Sequence, residues 1–222
     1  QFRTAVAYAD RNVKLCCSHH GLDVGPDGAT AQMFEDFATM RAIPGVTVIS
    51  PADANEFMKA FTAVLDHKGP VYLRIGRSAT PVVYGADHDF KIGKAHRLRE
   101  GTDVTVIATG VMVARALDAA ETLAGEGVSV RVVTLATIKP IDAAEMVAAA
   151  RETGGVVTAE DHNIMAGMGS AVAECLAEHA PARMRFVGVK DRFGKSGEHD
   201  ELPALFETDA AAIAKACRSL LT

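Results

Sequence analysis

Residues 104–135 read VTVIATGVMVARALDAAETLAGEGVSVRVVTL, and this stretch decides the fold class. Val104 to Ala108 is a short apolar run of the kind shown by parallel strands covered on both faces. Val113, Leu117, Ala120 and Ala124 then recur at helical spacing over about 111–125, Gly127 closes that helix, and Val128 to Leu135 is again strand-like. A strand, a helix and a second strand imply a right-handed crossover and a parallel sheet. Downstream the alternation continues. Ile141 to Arg151 is a helix, Gly155 to Ala159 a strand, about 169–179 a helix and Met184 to Val189 a strand. A last helix, Asp209 to Leu221, carries Ile213, Cys217 and Leu220 on one face. Upstream, residues 76–102 hold Pro81, four glycines and no sustained period, which predicts a linker with room for a short strand or two. Before it come a strand at Val13 to Cys17 and a Gly/Pro-rich loop, Ser18 to Ala29. A helix capped by Thr30 follows, with Met33, Phe37 and Met40 on one face, then a strand at Val46 to Ile49. Asp53 and Glu56 form a capping-box pattern for a helix bearing Phe57, Phe61 and Val64, and Val71 to Ile75 is the next strand. The expected class is α/β, with two parallel-sheet, three-layer units: 1–80, a linker at 81–100, and 101–222. The first unit looks cut short.

Composition narrows the function classes. The chain has 222 residues, 49% hydrophobic and 23% charged, with a net charge of −5. No basic field is available for nucleic acid or an anionic membrane surface, and no apolar run approaches the roughly 20 residues that span a bilayer. Cys16, Cys17, Cys175 and Cys217 make no CxxC or zinc spacing and are expected as reduced thiols, which with the lack of a signal peptide suggests the cytoplasm. The chain opens on Gln1 rather than Met, so an upstream segment is expected to be missing.

Chemistry is expected beyond the carboxyl ends of the strands. The loop SHHGLDVGPDGAT, 18–30, lies at such an end. Its glycines permit close backbone approach, His19 can meet a phosphate or move a proton, and Asp27 can accept from a sugar hydroxyl. A Gly/Asp-rich turn with a surface histidine fits the same residues. Arg74 and Arg77 stand at and after the third strand, where a guanidinium either grips phosphate bidentately or is a solvated end-cap. Glu160, Asp161 and His162 are consecutive, so their side chains should not converge on one ion, and a structural or interface role is expected. Gly167-Met168-Gly169 opens a helix in the manner of an anion-binding N-terminus. The loop 191–197 is expected to make an intersubunit contact. His67, His88, His96, His179 and His199 read as solvated, and His20 has no assigned role.

The run GLDVGPDGATAQMFEDFATMRAIPGVTVISPADANE, then GPVYLRIGR, resembles the pyrimidine-binding domain of transketolases. FKIGKAHRLREGTDVTVIATGVMVARALDAA, VRVVTLATIKPID, VVTAEDHNIMAGMGSAVAE and GVKDRFGKSGE are similar to that family's C-terminal domain. The blocks are co-linear over the whole chain and most resemble the C-terminal subunit of split transketolases. The resemblance implies thiamine diphosphate and Mg²⁺ in the complete enzyme, and none bound by this segment alone. The glutamate that activates the cofactor is expected upstream of Gln1, and the diphosphate and metal ligands in a separate domain or subunit, so no catalytic, cofactor or metal residue is assigned here. His19 matches the family's sugar-phosphate histidine, Asp27 its sugar-hydroxyl aspartate and Arg77 its phosphate-gripping arginine. Ala31 stands where the family usually has histidine, which removes a donor near the reacting carbon. The implied activity is transfer of a two-carbon ketol unit between sugar phosphates. Implied partners are a second copy in a homodimer and the diphosphate-binding N-terminal domain or subunit. The rivals are 1-deoxyxylulose-5-phosphate synthase, a 2-oxo-acid dehydrogenase β subunit and a non-catalytic relative.

Overall fold

The computed structural model describes residues 1–221; Thr222 lies outside them. The first sheet contains β1 (Lys14–Ser18), β2 (Thr47–Ile49) and β3 (Val71–Ile75), joined through α1 (Asp36–Arg41) and α2 (Ala54–Asp66). The second contains β4 (His96–Arg99), β5 (Val104–Ala108), β6 (Val130–Thr134), β8 (Val156–Asn163) and β9 (Met184–Val189). α3 (Met112–Ala124), α4 (Ala143–Glu152), α5 (Met168–His179) and α7 (Ala210–Arg218) cover its faces, and α6 (Leu202–Leu205) is a single turn. Strand order in the second sheet is β4-β6-β5-β8-β9, parallel except for β4, which lies antiparallel on β6 at the edge. β4 is the short strand for which the linker span left room.

One strand changes the picture of two separate units. β7 (Thr137–Lys139) leaves the second unit and pairs antiparallel with β2, so the first sheet runs β1-β3-β2-β7. The Lys139 ammonium fastens it by donating to the carbonyls of Arg41 (2.9 Å) and Ile43 (2.6 Å). Burial follows suit. Phe37, Val48 and Tyr72 of the first unit share one apolar cluster with Ile107, Leu135, Ile138 and Met146 of the second. That continuity puts the carboxyl ends of both sets of strands beside one another.

Two local expectations are revised. The helix after the first strand starts at Asp36, not at Thr30, because residues 22–27 already form a 3-10 turn and residues 28–35 wind as turns beneath it. The Asp53 box closes with a shift: the Asp53 carboxylate accepts from Glu56 N at 2.8 Å, but the Glu56 carboxylate reaches past the cap residue's own amide to Ala52 N at 2.7 Å. Among the described residues no helix is long and apolar enough to cross a membrane.

Candidate functional site

The parallel register of β1 and β3 sets Ser18 beside Ile75, so the residues after each, His19 on one side and Gly76-Arg77 on the other, leave the sheet together. The 3-10 turn Leu22–Asp27 then folds over this edge. Two carboxylates hold it there. Asp161 accepts from Leu22 N (2.9 Å) and Asp23 N (3.3 Å), and Asp23 accepts from Arg77 N (2.5 Å), Ser78 N (3.3 Å) and the Ser78 hydroxyl. The Arg77 guanidinium lies 3.1 Å from the Asp27 carboxylate and donates to the Val24 carbonyl, with about a third of its side chain still open to solvent. His19 is exposed, with its Nδ1 2.9 Å from the Ser18 hydroxyl. The fold therefore brings Asp27 and Arg77 into contact and leaves His19 on the adjoining strand exit. Ala31 is half-buried in the turn below and offers no polar side-chain atom.

The loop 191–197 backs this turn from within the same chain, and Phe193 on it stays exposed. Gln32 Nε2 donates to the carbonyls of Lys195 (3.0 Å) and Gly25 (3.2 Å). Gly28 has φ +78°, and a methyl group there would fall 2.3 Å from Ser196 Oγ, so the two loops can close only over a glycine. Asp161 and Glu160 likewise find hydrogen-bond partners within the chain, as a structural role requires.

Beneath the loop lies a buried polar layer. Arg74 is 2% exposed and no end-cap: its Nε is 2.8 Å from Asp36 Oδ2, and its Nη2 donates to Asp36 Oδ1 and to the Asp161 carbonyl, both at 2.9 Å. Tyr72 donates to the same carboxylate at 2.6 Å, and the guanidinium sits 4.1 Å above the Phe37 ring. Sequence reasoning missed this layer because an apolar strand with one arginine gives no hint of where its partner lies. Glu160 accepts from Met168 N (2.6 Å) and Gly169 N (3.0 Å), so the chain's own carboxylate fills the α5 N-terminus. His162 donates from Nδ1 to the Asn163 carbonyl (2.6 Å) and stacks on Phe37. His88, expected in solvent, stacks on Tyr84 with ring centroids 3.8 Å apart. No set of three His, Cys, Asp or Glu side chains among the described residues could hold a metal ion. The buried carboxylates Asp36, Glu160 and Asp161 are engaged with Arg74 or backbone amides.

Burial raises the Glu160 carboxyl to about 7. An acid raised in the folded state stays protonated while the unfolded chain ionises, so its contribution to stability is lost as pH climbs from about 4.5 through 7. Glu160→Gln should therefore shrink the difference in urea midpoint between pH 5 and pH 7.5. An unchanged difference would show that the carboxyl is already ionised throughout.

Comparison with known proteins identifies the relatives. The family of the transketolase pyrimidine-binding domain matches residues 1–82, and that of the transketolase C-terminal domain matches residues 93–213. The chain is 44% identical over 220 residues to the 6-deoxy-6-sulfo-D-fructose transketolase subunit of Clostridium sp. (strain MSTE9), covering 99% of this chain and 68% of that protein. It is 37% identical over 216 residues to an apulose-4-phosphate transketolase subunit of Phocaeicola vulgatus, covering 97% and 69%. Among solved structures it is similar to a split gene transketolase in the form of an inactive beta4 tetramer, with TM-score 0.93, 41% identity and coverage of 99% and 70%.

Proposed function

The chain belongs to the transketolase family, and from that premise we propose that it binds the anionic end of a ketose in an assembled enzyme that moves a two-carbon ketol unit between sugar phosphates. The observation that carries this reading is the Arg77–Asp27 pair at the joint exit of β1 and β3, with His19 beside it. Asp27 holds the guanidinium in place until an anion competes for it, and Asp27 and His19 then face the sugar's hydroxyls and its phosphate. The relatives' names support an anionic ketose, one bearing a sulfo group and the other a phosphate. Thiamine diphosphate, with Mg²⁺, supplies the carbon–carbon bond chemistry, held against a diphosphate-binding domain or subunit. Copies of the chain pair with each other, as the tetrameric neighbour suggests, and reduced thiols suit work in the cytoplasm.

The test is steady-state kinetics of the complete assembly. Arg77→Ala removes a charge-assisted contact of about 1.5–3 kcal/mol, so kcat/KM for a ketose phosphate should fall roughly tenfold to a hundredfold. The unphosphorylated ketose should change little. Equal losses on both substrates would assign Arg77 to holding the loop. A second reading, a relative without ketol transfer, draws on Ala31. It would stand if the complete, cofactor-loaded assembly turned over no ketose at all.

A further inference from the structure

The exits of four strands surround a cavity of about 320 Å³: His20 after β1, Ser50 after β2, Ile75 and the segment after β3, and Gly110 between β5 and α3. Three of these strands belong to the first sheet, and β5 stands at the centre of the second, so the cavity sits where both carboxyl edges meet. Such edges are where open α/β sheets place ligands.

We propose that this cavity binds a small oxyanion, the phosphate or carboxylate group of a metabolite, between the His20 imidazole and the first turn of α3. Two independent features point there. His20 is 5% exposed and lines the cavity, and its Nδ1 has no hydrogen-bond partner among the described residues. A buried ring nitrogen without a partner carries a desolvation cost that a bound acceptor would remove. The second feature is α3 itself, a helix of 13 residues with no side-chain cap on its N-terminus, which opens on the cavity at Gly110 and Val111. Met112 N and Val113 N already donate to the carbonyls of Thr109 (3.2 Å) and Gly110 (3.1 Å), so what the helix offers the cavity is the positive end of its dipole, which favours an anion. Gly110, at φ +56°, keeps this approach clear, since a methyl group there would stand 2.9 Å from Ser50 Oγ.

The one carboxylate in the lining does not repel such a guest. Asp53 Oδ1 accepts from Glu56 N (2.8 Å), and its Oδ2 from Val83 N (2.7 Å) and Tyr84 N (2.8 Å). Arg74, which also lines the cavity, is paired one to one with Asp36, so that wall presents no net negative charge to a guest. Ser50, Phe57 and Pro51 also line the cavity, while the Ser78 hydroxyl at its edge is held by Asp23. This inference does not depend on ketol transfer.

The experiment is calorimetric titration of inorganic phosphate, and separately of acetate, into the full chain in its assembled complex. The chain carries Arg77→Ala, so that the rim arginine contributes no heat. Saturable binding of phosphate, acetate or both is expected, and the anion that binds tells the phosphate from the carboxylate class. Adding His20→Leu, which fills the space but carries no donor, should weaken it about tenfold or more, the loss of one hydrogen bond to a charged acceptor. Adding Ala79→Trp, at an exposed position on the cavity rim, should do the same by filling the mouth. Absence of saturable binding for both anions, or retained affinity in either variant, would overturn the proposal.

Discussion

Arg74→Leu should destabilise the chain by about 3–5 kcal/mol, the usual cost of stranding one member of a buried ion pair. Both side chains are almost wholly enclosed, at 1% and 2% exposure, so water cannot take over the role of the missing guanidinium. Asp36 would keep only the Tyr72 hydroxyl among its present donors, and the Asp161 carbonyl would lose its own. The double variant Arg74→Leu/Asp36→Leu should recover part of the loss, because no isolated charge is left inside. Urea denaturation of the wild type, both single variants and the double closes the cycle. A loss under about 1 kcal/mol for Arg74→Leu would place the pair in a solvated setting.

Gly21→Ala should cost about 2–6 kcal/mol. Gly21 sits at φ +60° and ψ −160°, a region open in practice to glycine, where another residue is strained by about 1–3 kcal/mol. The new methyl would also fall 2.1 Å from Asp161 Oδ2, forcing that carboxylate off the Leu22 and Asp23 amides, a further cost of about 1–3 kcal/mol. Gly45→Ala is the control: it shares a positive φ, +76°, but meets nothing within 4 Å, so it should show backbone strain alone. Equal thermal shifts for the two variants would mean that the Asp161 clamp adds nothing. A larger shift for Gly21→Ala, at about 2–4 °C per kcal/mol in a chain of this size, is the expected result.

The alternating strands and helices were legible because their periods are local: the apolar run of β5 and the helical spacing of α3 each need no knowledge of a partner. The loop 18–30 was legible as a glycine-rich strand exit, and His19 and Asp27 could be singled out there, as Arg77 could after the third strand. Their grouping could not, because it depends on the register of Ser18 with Ile75 and on Asp161, far along the chain. Arg74 and Asp36 illustrate the same limit. Each looks like an ordinary surface charge until the fold sets one against the other. The three-residue strand β7 escaped for a related reason, since a segment that short has too few positions to show a period.

That strand also bears on how the protein comes off the ribosome. β2 offers its outer edge from the moment Thr47 to Ile49 emerge, yet the segment that covers it, Thr137 to Lys139, is translated only after α3 and β6. Until then the nascent chain exposes an unpaired strand edge, which is where aggregation starts. Cutting the chain in the linker would make that exposure permanent. The pyrimidine-binding portion is thus expected to be insoluble when expressed without the residues up to Lys139, however natural a boundary in the linker looks.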